Sequence, residues 1–368
     1  MRALWLIRGN LTQHPGGDTT QILQTSAALQ AFGVEVTLCA DPAPKMRGYD
    51  IVHLFHLDRS WENEPHCRRL RREGRPAVLS TIYWPADQFD RQGRAGFQGV
   101  LARAFGSGAY QNLRLAQRWL LHALSRPSAS SLSARAWGFF RAVRYVLESV
   151  AAILPNSQAE REQIVRKFGV ERPAVIVPNA ADNRTFRPPA AESDAGRDGV
   201  LCVGRIEPRK NQLTLIEALR DRQMPLTLVG QPGRYSRAYY RRCLRAAGGR
   251  PIRFLPQQPP ESLCRLYQQA RVHACVSWYE TPGLASLEAA LCGCNLVVTP
   301  GGCTHEYFGD QAVYCDPVDR DSIRQAIELA LKRPSPTSLQ RRVAEEFTWE
   351  TAAQKTLEGY RLALAGGG

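Results

Sequence analysis

The sequence predicts an α/β protein of two domains, and three observations predict it. Short β-branched and apolar runs alternate with segments whose apolar residues recur at helical spacing, the pattern of strands feeding crossover helices. This alternation starts twice, at ALWLI (3–7) and at VLCVG (200–204). Between the two stretches lies PPAAESDAGRDG (188–199), rich in Pro, Ala, Gly and charge, which reads as an interdomain linker. A chain of 368 residues accommodates two domains of ordinary size, and 44% hydrophobic residues suffices for packed cores.

In chain order, residues 3–7 read as the first strand, ILQTSAALQAFG (22–33) as a helix ending at Gly33, and VEVTLCA (34–40) as the second strand. The loop before that helix carries Gly16 and Gly17, where a ligand can approach the backbone closely. It is not G-x-G-x-x-G, which argues against a dinucleotide site. DIVHLFHL (50–57) is a buried strand with His56 near its carboxyl end, and AVLSTIYW (77–84) a further strand carrying Tyr83. ESVAAILPNSQAEREQIVRKFG (148–169) reads as strand and helix. The second half opens with VLCVG, a loop bearing Arg205 and Lys210, a helix, and the strand PLTLVG (225–230).

The stretch from Val272 to Pro300 reads as strand, helix, strand, with Leu284, Leu287 and Leu291 at helical spacing. Thr281 suits the N-cap, Pro282 the first helical position, and Gly293 the position just past the end. Unpaired N–H groups at Gly283 and Leu284, at the positive end of the helix dipole, offer an anion site. Glu280 precedes the helix and Glu288 lies inside it. Carboxylates repel a phosphate, so these two suit hydroxyl groups, as on a ribose and a sugar. Asp319-Arg320-Asp321 is formally a D-x-D, but it precedes an apolar-periodic helix and reads as an N-cap. FTWETAAQKTLEGYRLAL (347–364) reads as a terminal helix.

The net charge is +14, with a sequence pI of about 9.6. Residues 91–147 hold nine arginines and no acidic residue, interleaved with aromatic side chains. Such a stretch suits nucleic acid, an anionic membrane surface or a phosphate-bearing acceptor. Without an RNA-binding or helix-turn-helix signature, the membrane surface ranks above nucleic acid. Ten scattered cysteines without a CxxC pair suggest neither a disulfide framework nor a zinc site. No stretch of about 18 apolar residues occurs and the opening lacks a signal-peptide pattern, so the expected location is the cytoplasm, peripheral on the inner face of the membrane.

Several of these motifs together resemble one family. Glu280 and Glu288 with seven residues between, followed by EAALCG, resemble the E-x7-E signature of retaining nucleotide-sugar glycosyltransferases of the GT-B fold, especially glycosyltransferase family 4. Gly204-Arg205 to Lys210 is similar to that family's G-R-x-x-x-x-K element. Pro178, Asn179, Asp182, Phe186 and Pro188 match its V-P-N-G-V-D-x-x-x-F-x-P boundary, with Ala180 in place of glycine. The order of these motifs, more than any one of them, carries the resemblance.

The resemblance implies two doubly wound Rossmann-like domains facing across a cleft. Residues 1–188, completed by a crossover helix at 347–365, would bind the acceptor, and 198–346 the nucleotide sugar. It implies that Arg205 and Lys210, with Gly204 and the helix start at Gly283 and Leu284, grip the donor diphosphate. Glu288 would hold the ribose and Glu280 orient the donor sugar, with Arg205, Lys210 and Glu280 as the catalytic set. Gly16 and Gly17 would face the donor diphosphate or the acceptor, with His56 and Tyr83 on the acceptor side. The family's usual T-x-H-D appears here as Thr81-Ile82-Tyr83-Trp84, so its His-Asp pair is missing.

The implied activity is retaining transfer of a sugar from a nucleoside diphosphate to a hydroxyl of a glycan or lipid-linked acceptor, with no cofactor, no metal and no nucleic-acid partner. The alternatives are a nucleotide-sugar epimerase or hydrolase on the same architecture, and a non-catalytic nucleotide-sugar-binding module.

Overall fold

A computed structural model describes residues 1–366 apart from 12, 14, 95–98, 105–109, 111, 114–115, 117–131, 190–195, 221–222, 234 and 282. The described chain divides into two compact units. One comprises 1–85, 104–179 and 349–368; the other comprises 86–103 and 180–348.

The first unit is built on a parallel sheet in the order β2-β1-β3-β4-β5. Its strands are β1 (Arg2–Leu6), β2 (Glu35–Cys39), β3 (Ile51–Phe55), β4 (Ala77–Ser80) and β5 (Ala152–Leu154). All five residues of β3 are buried, as expected of a central strand covered by helices on both faces. The helices are α1 (Gly17–Gln30), α2 (Ser60–Glu73), α3 (Leu132–Glu148) and α4 (Gln158–Phe168). Helix α2 packs on α3, whose Ala142, Val143, Val146 and Leu147 enter the core beside Leu54 and Leu79. That helix takes in the end of the basic stretch 91–147; residues 95–98, 105–109, 111, 114–115 and 117–131, with Arg114, Arg118 and Arg126, lie outside the described residues, and the expected membrane contact falls in part on them.

Two of the boundaries that differ from the sequence reading have a physical cause in the structure. Helix α1 begins at Gly17, five residues ahead of Ile22, because Gly16 serves as its N-cap and Thr19 Oγ1 accepts from the Gly16 N–H at 3.1 Å. Strand β4 ends at Ser80 instead of Trp84. There the chain turns to serve a buried carboxylate: Glu160 accepts from the Thr81 hydroxyl, from the Tyr83 N–H at 2.7 Å and from the Asn156 N–H at 2.8 Å. A buried charge is tolerated when its lone pairs are occupied in this way.

Helix α12 (Trp349–Ala365) belongs to the first unit, where it packs on α1, β4 and β5. Its seating is specified by a buried polar chain. Trp5 Nε1 donates to Tyr360 Oη at 2.7 Å, Tyr360 Oη lies 2.8 Å from His53 Nδ1, and His53 Nε2 lies 2.8 Å from Ser80 Oγ. Burial pushes His53 down to about 3, so its ring is neutral, with one nitrogen donating and the other accepting in this chain. Tyr360→Phe strands the Trp5 N–H and His53 Nδ1 in the core. It is expected to cost about 3 kcal/mol in the urea unfolding of this unit; an unchanged midpoint would mean the chain contributes nothing.

The second unit has a parallel sheet in the order β11-β10-β9-β6-β7-β8. Its strands are β6 (Val200–Val203), β7 (Leu226–Val229), β8 (Ile252–Leu255), β9 (Val272–Cys275), β10 (Asn295–Val298) and β11 (Val313–Tyr314). The helices between them are α5 (Gln212–Ala218), α6 (Arg237–Ala247), α7 (Pro260–Gln269), α8 (Leu284–Leu291), α9 (Thr304–Phe308) and α10 (Arg320–Lys332), followed by α11 (Thr337–Glu346). Asp319 caps α10, accepting from the Asp321 N–H at 2.8 Å, the capping role read from the sequence.

The division departs from the expected boundaries in the membership of 86–103 and of 180–197. The first segment joins the second unit through a π-turn at Phe89–Gly93, where Phe89 lies 6.0 Å from Trp278. A Cβ at Gly93 would come 2.3 Å from Trp278 Cε2, so the turn and the indole are in close contact. In the second segment, Arg197 donates to the carbonyls of Tyr267 and Ala270.

Candidate functional site

Strands β6 and β9 lie side by side at the point where the order of the second sheet reverses, and in open α/β sheets the carboxyl ends of such strands bound the ligand crevice. Two loops leave there. One runs from Gly204 through a 3₁₀ turn at Pro208–Lys210 into α5; the other runs from Val276 to Gly283 into α8. They are tied together at several points. Trp278 N–H donates to Arg209 O at 2.9 Å. Asn211, in the left-handed conformation at φ 60°, donates to Val276 O at 3.2 Å and Pro317 O at 2.8 Å.

These ties bring together motifs seventy positions apart in the chain. Lys210 Nζ donates to Glu280 Oε1 at 2.5 Å, and Arg209 Nη1 lies 3.5 Å from the same oxygen. Arg209 also donates to Tyr279 O at 2.9 Å and meets Glu207 Oε1 at 3.3 Å. Glu280 is buried. Burial alone would raise its pKa, but Lys210 and Arg209 beside it hold the carboxyl down to about 2, so it is ionised. Its second oxygen lies 3.4 Å from where a Gly283 Cβ would be, against the start of α8.

Glu288 stands one turn into α8, where Tyr267 Oη donates to its Oε2 at 3.2 Å. Burial pushes this carboxyl up to about 7, against the opposing effect of the Tyr267 hydrogen bond. The two glutamates of one motif thus carry opposite shifts. Glu280 has two cations beside it, whereas among the described residues Glu288 is hydrogen-bonded by a phenol.

The helix start differs from the sequence reading. Thr281 is not the N-cap: α8 begins at Leu284, with Gly283 at the cap position and φ 96°. The reason is upstream. Glu280 is pinned in a β-bridge to Gly302, donating to Gly301 O at 3.0 Å while its own carbonyl accepts from the Cys303 N–H at 2.9 Å. The chain therefore turns into the helix later, at a glycine free to take a left-handed φ. Pro282 lies outside the described residues, and Gly293 follows the helix end as expected.

Of the remaining candidates, Gly204 sits at the end of β6 with Lys210 beside it, whereas the Arg205 side chain is half exposed, 3.9 Å from Glu207. In the first unit, Gly16 and Gly17 open α1 beside a cluster that sequence spacing did not reveal. Asp18 accepts from Arg8 Nε at 2.7 Å and lies 3.2 Å from His56 Nε2. Against burial, His56 and Arg8 hold the Asp18 carboxyl well below the usual range. His56 is itself in a left-handed conformation, φ 66°, which places its ring by the glycine pair through Asp18. Tyr83 goes elsewhere. It is 4% exposed, with its ring 5.4 Å from Phe168 in the core. Arg209 and Asp18 were also missed in the sequence, because each acts through a contact distant in the chain.

Among the described residues, no cluster of three His, Cys, Asp or Glu side chains could hold a metal ion, and no helix is long and apolar enough to cross a membrane.

Comparison with known proteins gives a consistent set of likenesses. The family model described as "Glycosyl transferases group 1" matches residues 183–347, and that described as "Glycosyl transferase 4-like domain" matches 16–180. The O-antigen chain mannosyltransferase B of Escherichia coli is 29% identical over 235 residues, 59% of this chain and 62% of that protein. A D-inositol 3-phosphate glycosyltransferase of Rhodococcus opacus is 27% identical over 236 residues, 57% of this chain and 53% of that protein. The chain thus spans about half to three fifths of the length of these relatives. Sucrose-phosphate synthase from Thermosynechococcus elongatus superposes with a TM-score of 0.74 at 19% identity, covering 99% of both chains. Anabaena HepE, solved with UDP-glucose, gives a TM-score of 0.69 at 17% identity, covering 97% of this chain and 98% of that one. These likenesses establish the two-domain GT-B fold.

Proposed function

Because the chain belongs to the group 1, family 4-like glycosyltransferases, we propose that it transfers a sugar from a nucleoside diphosphate to a hydroxyl of a glycan or lipid-linked acceptor in cell-envelope or polysaccharide biosynthesis, with retention at the anomeric carbon and without a resident metal. The observation that carries this reading is the Lys210–Glu280 pair at the start of α8, which joins the G-R-x-x-x-x-K loop to the E-x7-E helix. The relatives named as a mannosyltransferase and as an inositol phosphate glycosyltransferase support the class of reaction.

In this reading the bond from the anomeric carbon to the donor phosphate oxygen breaks while a bond to the acceptor oxygen forms on the same face, and the acceptor proton passes to the leaving phosphate. Negative charge grows on the diphosphate, and fixed cations stabilise it most when they need not rearrange. An ammonium has three donors. Lys210 gives one to Glu280 and can turn another to the phosphate, with Arg205 and the α8 amides of Gly283 and Leu284 completing the grip. Gly204 lets the diphosphate approach the backbone. Glu280 keeps its second oxygen for the donor sugar, and Glu288 accepts from the ribose hydroxyls. On the first unit, Gly16, Gly17 and His56 line the approach of the acceptor.

Thermal stabilisation across UDP-, GDP- and ADP-sugars, with and without EDTA, tests the reading. One donor group is expected to shift the melting temperature by several degrees with or without EDTA; no shift by any of them in folded protein would overturn it. The anomeric configuration of the product, read by NMR, tests retention.

Glu288 supplies a pH signature. Its carboxyl is raised to about 7, and accepting from ribose hydroxyls favours the ionised form, so donor binding should release a proton. Donor affinity is then expected to rise by about tenfold between pH 6 and pH 8, and the rise to vanish in Glu288→Gln. Titration calorimetry in buffers of different ionisation enthalpy measures it; a pH-independent wild type would remove Glu288 from the donor site.

A further inference from the structure

The strongest unexplained feature is helix α6 in the second unit. From 222 to 260 the chain has eight arginines and no Asp, Glu or Lys. Helix α6 faces the core with Tyr239, Tyr240 and Cys243: Tyr240 packs on Phe254 at 5.7 Å, and the Tyr239 hydroxyl accepts from the Leu213 N–H at 2.9 Å. The opposite side exposes Ala238, Arg241, Arg242 and Arg245, spaced i, i+3, i+4, i+7, flanked by exposed Arg237 and Leu244. Leu244 is 41% exposed, and Tyr235, in the turn before the helix, 81%.

The side chains of Arg237, Arg241, Arg242 and Arg245 make no hydrogen bond or ion pair among the described residues. Glu217, on the neighbouring α5, is held by Arg320 at 2.8 Å. A helix face that merely faces water usually sets acids four residues from its bases. This one instead places Arg237, Arg241 and Arg245 at successive i, i+4 positions, where they repel one another.

The geometry points to α6 as an interfacial element that lays the second unit on a bilayer bearing anionic headgroups. Charge complementarity makes the partner an anion, and two features select a lipid surface. Exposed Leu244 lies beside the guanidinium stripe and exposed Tyr235 in the turn before the helix, an apolar and an aromatic side chain suited to the headgroup level while the apolar face of α6 stays on the core. Arginine stems can lie along apolar surface while their heads reach phosphate. The inference stands apart from the sugar-transfer reading, because the surface involves none of the residues assigned to the donor.

The test is co-sedimentation of the full chain with phosphatidylcholine vesicles with and without phosphatidylglycerol. Binding to the anionic vesicles alone, reversed by high salt, is expected. The variant Arg241→Glu/Arg242→Glu/Arg245→Glu should bind about a hundredfold more weakly. A control of equal charge change on exposed arginines of the first unit, Arg47→Glu/Arg72→Glu/Arg166→Glu, should bind much more like the parent. Each variant's melting temperature establishes that it is folded. Equal binding by the α6 variant and the parent, equal loss in the control, no discrimination between the two vesicles, or tighter binding to a labelled single-stranded RNA than to vesicles would each overturn the assignment.

Discussion

Lys210→Met is expected to lower kcat by about a hundred- to a thousandfold while changing donor affinity only a few fold. Losing one fixed donor to a developing anion costs about that much, and the ground-state diphosphate keeps Arg205 and the α8 amides. The substitution also leaves Glu280 buried with Arg209 as its remaining cation 3.5 Å away, so its carboxyl should rise from its depressed value. Steady-state kinetics with donor binding measured separately distinguishes the cases. Loss of binding and turnover in equal proportion would make Lys210 a binding residue; unchanged turnover would remove it from the reaction.

Gly302→Ala should disable the donor loop without touching any group that meets the donor. At φ +105°, an added Cβ would fall 1.8 Å from Glu280 O and 2.6 Å from Glu280 N. The neighbour is backbone held by two hydrogen bonds, so it cannot move aside cheaply. Unfolding of the second unit is expected to lose about 3 kcal/mol or more, and donor-induced stabilisation to disappear. Urea unfolding followed by tryptophan fluorescence, with and without donor, measures both. A variant with parental stability and donor response would show that the Glu280–Gly302 bridge does not position the carboxylate.

The fold was legible where the chain obeys period and punctuation. The strand cores at Leu4, Val52, Leu228 and Val297 lie in β-branched, apolar runs, and Gly33, Gly169 and Gly293 mark helix ends that recur in the structure with positive φ. What escaped depends on contacts distant in sequence. Thr281 and Pro282 satisfy the local rules for a helix start, but the bridge from Glu280 to Gly302 overrides them. Tyr83 lies in a run that reads as strand as far as Trp84, until Glu160, 77 positions away, takes its backbone N–H and the ring packs in the core. Arg209 is one more basic residue in a loop until Glu280 and Glu207 fold against it. The membership of 86–103 rests on Phe89 and Gly93 meeting Trp278, a pairing without a periodic signature.

The return of α12 to the first unit has a consequence for the order of biosynthesis. Trp349, Ala353, Leu357 and Tyr360 complete a core whose other parts, from β1 to α4, leave the ribosome before any of β6 to α11. The second unit has its sheet and helices from 200 to 346 in one continuous run, so it can close as soon as it emerges. The first must wait with the Trp5 N–H and His53 Nδ1 unpartnered and Leu154 uncovered until Tyr360 and Gly359 arrive. The first unit to be translated is thus the last to be finished, and a nascent chain stalled before α12 should bind chaperones through that open groove while its second unit is already folded.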